Sequence, residues 1–251
     1  MEKYIKPILK DGKCFVLTYD QGFVHGVSDF NEINQDINYI FELAIKGGFT
    51  GLVLHKGIAE YFRESKYFSK IPLIIKLNSN TILPKEGDPD TARICSVAYA
   101  KKLGAVAVGY TIYLGAEGEN EMFEEFSAIQ EEARALNMGV IAWIYIRGKN
   151  VVGQPSDLLT QYATRVGLEL GADMVKVKYG ETCEGFEKAV NFAKPMKVGV
   201  SGEHLIDEDA FLENTREIMS AGGCGLLVGR NIWQRPDALE FTKKVRDIIF
   251  G

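Results

Sequence analysis

Eight short apolar runs recur along the chain, and the stretches between them change to helical periodicity. The runs are CFVLTY (14–19), TGLVLH (50–55), PLIIKL (72–77), AVAVGY (105–110), VIAWIY (140–145), DMVKVK (173–178), KVGVS (197–201) and GLLVG (225–229). Such near-continuous runs suit strands buried on both faces, as in a parallel sheet. Between them, residues 119–136 place Met122, Phe123, Phe126, Ile129, Ala133 and Leu136 on one stripe, with glutamates opposite. Residues 155–170 begin with Pro155 in a first turn and continue through Tyr162, Ala163, Val166 and Leu170. Further helices are expected over 207–221 and from Pro236 onward. KKLGAVAV (101–108) and LELGADMV (168–175) each read as a helix ending at glycine and turning into a strand.

Eight strand-then-helix units in 251 residues have the size of one α/β domain, a (β/α)8 TIM barrel over residues 1–251. A doubly wound open sheet is the rival. It would offer a glycine-rich dinucleotide turn after the first strand, and YDQGFVHG does not fit that pattern.

Hydrophobic residues make up 46% of the chain, enough for a core without metal or disulfide staples. A net charge of -5 with no polybasic run argues against nucleic acid as a partner. No run of 18 apolar residues is present and MEKYIKPILKDGK lacks a signal-peptide core, so no membrane contact and a cytoplasmic location are expected. Cys14, Cys95, Cys183 and Cys224 are far apart in sequence and form no CxxC pair, which points to reduced thiols.

In a barrel the reactive groups stand at the C-terminal strand ends and in the loops beyond them. There the chain offers Asp20 and His25 after the first run, His55 and Lys56 after the second, and Lys76 and Asn78 at the third. The fifth run carries Trp143, Tyr145 and Arg147, the sixth Lys176 and Lys178, and the last two end in Ser201–Gly202 and Gly229–Arg230. Strand alternation puts Met174, Lys176 and Lys178 on one face and Val175, Val177 and Tyr179 on the other. If the lysine face is the barrel interior, desolvation and a neighbouring cation lower the amine pKa. A free amine adds to a ketone and forms a Schiff base. The alternative is a lysine ion-paired to Asp20 across the barrel, holding strands together.

The glycine-containing turns after the last two strands can cradle a phosphate, with Arg230 adding a charge-assisted contact. The same glycines also suit ordinary strand-to-helix turns. Trp143 and Tyr145 share a face; the phenol there is either a proton carrier or a packed aromatic. His25, His55 and His204 lack the close spacing of a metal motif, and no metal is expected.

The phrases VGYTIY (108–113), WIYIRG (143–148), GADMVKVKYG (171–180) and VGRNIWQ (228–234) resemble the archaeal-type class I fructose-1,6-bisphosphate aldolases. The similarity runs from YDQGFVHGVSDF to VGRNIWQRPDAL. It implies a (β/α)8 barrel that cleaves fructose 1,6-bisphosphate reversibly through a Schiff-base lysine, without metal or other cofactor. By position it implies Lys176 as that lysine, Tyr145 as proton donor and acceptor, and Asp20 as their helper. Trp143 and Arg147 would line the sugar-phosphate site, and Ser201, Gly202, Gly229 and Arg230 would cradle the ketose C1 phosphate. Gln21, His25, Lys56 and Lys178 complete the expected substrate contacts.

Relatives of this kind assemble as decamers of pentameric rings, which implies a homo-oligomer. Gln21 stands where the family usually has histidine, and Glu203 where it usually has glycine. A carboxylate beside a phosphate cradle is unfavourable unless it points away or pairs with a cation, and Glu203 is expected to point outward. These departures leave two alternatives open: a Schiff-base aldolase or transaldolase with another sugar-derived product, and a non-catalytic phosphosugar-binding barrel.

Overall fold

All six residues of Cys14–Tyr19 are buried, so this run needs apolar layers on both faces and backbone partners on both edges. It forms the first strand, β1, of a computed structural model that describes residues 2–83 and 87–251. The remaining strands are β2 (Gly51–His55), β3 (Leu73–Lys76), β4 (Asn78–Ser79), β5 (Ala92–Arg93), β6 (Ala107–Leu114), β7 (Gly139–Ile146), β8 (Met174–Val177), β9 (Lys197–Ser201) and β10 (Gly225–Val228). Eight of them close into a barrel in the order β1-β10-β9-β8-β7-β6-β3-β2. Every pairing around the barrel is parallel. The small β4-β5 ladder is antiparallel and belongs to the connection from β3 to β6.

All eight apolar runs are barrel strands. Those at 105–110 and 140–145 are parts of longer strands, because β6 and β7 stay in register from Ala107↔Gly139 to Leu114↔Ile146. Ile112, Tyr113 and Leu114 remain buried along this extension, which keeps it apolar and paired. The expected helices occur at Glu119–Ala135, Ser156–Glu169, Glu208–Ser220 and Ala238–Phe250. Helices Ile37–Gly47 and Cys183–Ala193 fill out the ring. Gly171 adopts φ +77°, a left-handed conformation that ends one helix just before β8. No helix among the described residues is long and apolar enough to cross a membrane.

Alternation along the strands sorts side chains into two cores. Phe15, Leu17, Val175 and Val177 pack outward against the helices. Val16, Val53, Ile74, Ile141, Met174 and Leu227 fill the barrel interior. Ile5 and Ile8, from the N-terminal segment, plug the bottom; a side chain on Gly139 would come within 2.6 Å of Ile5. Cys14 and Cys224, distant in sequence, bring their Sγ atoms to 3.7 Å across β1 and β10. At the entry to β8, the buried Asp173 takes two hydrogen bonds from the Arg134 guanidinium, at 2.7 and 2.9 Å. It also accepts the Val140 N–H, at 2.9 Å, and so ties the helix 119–135 to two neighbouring strands.

The upper end of the interior is closed by one ring. Trp143 on β7 lies across Gly109 on β6, so close that a Cβ built on Gly109 would sit 1.3 Å from the indole. Gly109→Ala should therefore overpack this layer and lower stability by about 1–3 kcal/mol. The measurement is the urea midpoint, with an unchanged m-value. A midpoint equal to that of the unsubstituted protein would mean that the indole can leave its slot at no cost.

Candidate active site

Above Trp143, at the C-terminal ends of the strands, lies a cavity of about 280 Å³. Thr18, Asp20, Lys76, Thr111, Tyr145, Lys176, Ser201 and Arg230 are among its lining residues. The Lys76 and Lys176 amines stand 5.5 and 5.6 Å from the centroid of the Trp143 ring. At that range an ammonium is still attracted to a ring face, yet most of its water is gone. Burial pushes both amines down to about 8, although the Asp20 carboxylate opposes the shift. Arg230 adds to the lowering at Lys176. An amine of pKa about 8 is roughly one-tenth neutral at pH 7, against about one part in 3,000 for an ordinary lysine.

Asp20 sits at the N-cap of the short helix Gln21–His25, where an aspartate ordinarily hydrogen-bonds the first turn, but its side chain makes no capping bond. The Gln21 side chain braces the turn instead. It accepts the Asp20 N–H at 2.9 Å and donates to Thr18 Oγ1 at 3.0 Å. His55, buried and held below its ordinary pKa by desolvation, contacts the Asp20 carbonyl at 3.2 Å. Burial alone would raise the Asp20 carboxyl, but Lys76, then Lys176, hold it below the usual range. Among the described residues no direct ion pair joins Asp20 to either lysine. The alternative of a strand-to-strand salt bridge is thus not what the barrel contains. Asp20 and both amines line the one cavity without closing to a salt bridge.

Tyr145 reaches the same cavity from β7. Burial, then the charge of Asp20, raises its phenol, so the proton is held until a strong base or developing charge takes it. The Arg147 guanidinium stands 5.7 Å from both the Tyr145 and Tyr113 rings and lines the rim.

On the opposite wall, the fully buried Asn231 holds the loop after β9. Its amide donates to the carbonyls of Gly202 and His204, and its Oδ1 accepts the Ile206 N–H at 3.0 Å. Gly229 lets β1 come close, since a Cβ there would lie 2.5 Å from the Thr18 carbonyl oxygen. Ser201 Oγ is buried without a hydrogen-bond partner. Arg230 lies 3.7 Å from Asp29, which also takes His25 at 2.9 Å. This wall presents an unpartnered hydroxyl, backbone from two glycine turns and a guanidinium, a donor set suited to an anion.

Of the residues that the resemblance assigns to the site, Asp20, Gln21, His25, Tyr145, Arg147, Lys176, Lys178, Ser201, Gly202, Gly229 and Arg230 line this one cavity. Two do not. Trp143 is only 1% exposed and lies beneath the cavity, so it is the floor under the two lysines and not a wall of the substrate space. Lys56 starts the helix Lys56–Tyr61 and turns away from the barrel axis into a separate surface groove with Arg93, Cys95 and Tyr99.

Glu203 also differs from expectation, for it lines the cavity and pairs with Lys178 at 2.6 Å. Pairing with a cation, the other way to tolerate a carboxylate beside an anion site, is the arrangement found. Glu203 further adopts φ +49°, a strained conformation for a residue with a side chain. Lys76 was visible at a strand end, yet was not among the expected site residues. Its signal was the same alternation that marked Lys176, a lone lysine two positions beyond an inward isoleucine. Among the described residues, no three His, Cys, Asp or Glu side chains converge to hold a metal ion.

A parallel eight-stranded barrel with desolvated lysines, a carboxylate and a phenol at its C-terminal mouth belongs to the class of barrels built for amine-mediated carbonyl chemistry. More particularly, the chain belongs to the DeoC/LacD family of aldolases, whose family model matches residues 14–235. It is 40% identical to the class 1 fructose-bisphosphate aldolase of Thermoproteus tenax, over 100% of this chain and 94% of that protein. The class 1 fructose-bisphosphate aldolase of Halobacterium salinarum is 37% identical, over 97% of this chain and 93% of the relative. A solved archaeal fructose-1,6-bisphosphate aldolase, with its catalytic lysine covalently bound to the carbinolamine intermediate, superimposes with a TM-score of 0.94. It shares 39% identity, and the match covers 100% of this chain and 99% of that one.

The Glu203–Lys178 pair yields a direct expectation. Glu203→Gln removes a negative charge from the anion-binding wall and releases Lys178. Inorganic phosphate, titrated by calorimetry, should bind about two- to fivefold more tightly, which corresponds to roughly 0.4–1 kcal/mol for a half-exposed charge. Weaker phosphate binding in this variant would show that Glu203 organises the wall instead of opposing its ligand.

Proposed function

We propose that this chain is a metal-independent, Schiff-base-forming fructose-1,6-bisphosphate aldolase. It converts the ketose bisphosphate reversibly to dihydroxyacetone phosphate and glyceraldehyde 3-phosphate. One observation carries the reading. The Lys176 amine is desolvated, has no hydrogen-bond acceptor among the described residues, and opens into a cavity shared with Tyr145, Asp20 and an anion-binding wall.

In the cleavage direction the neutral Lys176 amine adds to C2 of the open-chain ketose, and loss of water with uptake of one proton leaves a protonated imine. Tyr145, which holds its proton at rest, passes it to the ionised Asp20 carboxylate as it accepts the C4 hydroxyl proton, and the same proton later returns to the enamine. The C3–C4 bonding pair then moves into the imine, giving an enamine on Lys176 and a free aldehyde. Protonation of the enamine at C3 and addition of water release the ketone and restore the amine. Arg230, Ser201 and the glycine turns hold the C1 phosphate, so that C2 lies over Lys176. Gln21 keeps Asp20 in place, and Arg147, His25 and Lys178 surround the remainder of the sugar phosphate. The reading includes a cytoplasmic homo-oligomer serving sugar-phosphate breakdown and synthesis.

Borohydride reduction with dihydroxyacetone phosphate, followed by mass mapping, should place the adduct on Lys176. Lys176→Met should abolish trapping, while Lys178→Met should permit it at reduced rate. An adduct on Lys178 in the unsubstituted protein would reverse the assignment.

Arg230→Ala removes a charge-assisted contact worth roughly 1.5–3 kcal/mol and should weaken phosphorylated-ketose binding by about 10- to 150-fold. The loss should be far smaller for an analogue lacking that phosphate. Equal losses for both ligands would place the phosphate elsewhere.

A further inference from the structure

The cavity interior contains two buried amines and one carboxylate. Glu203, the other carboxylate on its wall, is already engaged by Lys178 at 2.6 Å. One anion cannot compensate two ammonium ions in a desolvated space, so Lys76 and Lys176 compete for Asp20.

Their surroundings differ. Lys76 is 4% exposed, and its Nζ donates to the Asn78 carbonyl at 3.2 Å. Asn78 is itself fully buried and locked to β6, donating to the Thr111 carbonyl at 2.9 Å and accepting the Thr111 N–H at 2.7 Å. The Lys76 ammonium thus has a fixed acceptor. Lys176 has none among the described residues, and the charge of Arg230, on the same cavity lining, works against its protonation. Of the two lysines, Lys76 does more to hold the Asp20 carboxyl down. The other neighbours of Lys76 change this little. His55, beside it in register on β2, is kept neutral by burial, and Gly109 and Thr111 on β6 carry no charge. Tyr145 on β7 holds its proton.

We propose that Lys76 is a positioning residue, the resident cation that balances Asp20 and thereby leaves the Lys176 amine unpartnered and free to add to a carbonyl. The inference rests on Lys176 being the imine-forming lysine. It gives Lys76 a role that a merely structural lysine would lack. Asp20 stays ionised for proton transfer without drawing Lys176 into an ion pair, and the two amines do not exchange duties.

The test is the pH dependence of borohydride trapping with dihydroxyacetone phosphate in the full chain, with the adduct mapped by mass. In Lys76→Met, Asp20 has only Lys176 to balance it. The trapping midpoint should rise by about one pH unit, and trapping at pH 7 should slow about tenfold. Lys76→Arg, which keeps the charge, should retain the midpoint of the unsubstituted protein. A Lys76→Met midpoint that is unchanged or lower, with the adduct still on Lys176, would overturn the inference and leave the aldolase reading intact. An adduct on another lysine in the unsubstituted protein would instead remove the reading on which it rests. Should Lys76→Met fail to fold, reductive methylation of the unsubstituted protein over a pH series decides the matter. Lys176 should be modified at lower pH than Lys76, and the reverse order would refute the proposal.

Discussion

Everything chemical in this barrel rests on an indole lying where a glycine has no side chain. Trp143 crosses from β7 to the space over Gly109 on β6, and its ring then floors the cavity between β3 and β8. A smaller residue at 143 would admit water beneath the amines, and a larger one at 109 would expel the ring. Solvation is what keeps a lysine charged, so the floor governs reactivity through exclusion of water, with no contact to a reacting atom. The indole Nε1 is buried without a partner, a cost accepted to place an aromatic face under two cations.

A second consequence concerns how charge is left uncompensated. At the barrel's other end, Arg134 and Asp173 close to contact at 2.7 Å. In the cavity, Asp20, Lys76 and Lys176 stay apart, and the Asp20 side chain forgoes the capping bond its position offers. Backbone braces from Gln21 and His55 make this possible, because they hold the main chain of Asp20 while its carboxylate stays unattached. Groups kept apart in this way lose no partner when a substrate enters, which is the sense in which the site is preorganised.

The barrel itself was legible because its signal is redundant. Eight apolar runs repeat, and each obeys the same alternation whether or not its ends are located well. The two places where runs were too short, after Tyr110 and after Tyr145, are where β6 and β7 continue together beyond the ring. That extension depends on pairing with each other, which a single run does not reveal. Inward direction was legible at Lys176 and equally present at Lys76, where nothing in the neighbouring residues demanded a second amine. Lys56 misled because a strand end and a helix start adjoin there, and the chain direction after His55 is set by packing of the helix Lys56–Tyr61. Glu203 misled for a different reason. Its orientation depends on Lys178, 25 positions earlier in sequence and brought beside it only by the barrel.

Barrel closure has a consequence for the growing chain. The Cys14–Cys224 contact that accompanies the pairing of β1 with β10 joins residues 210 positions apart. At cellular synthesis rates about 10–40 s separate the emergence of those two strands. Until the ring closes, each of Lys76 and Lys176, once synthesised, is solvated and almost wholly charged, and so far less reactive toward aldehydes and ketones than a desolvated amine. The nucleophilicity of Lys176 arrives only with the finished ring, so the topology that later invites a deliberate carbonyl adduct also withholds that amine from adventitious ones in the nascent polypeptide.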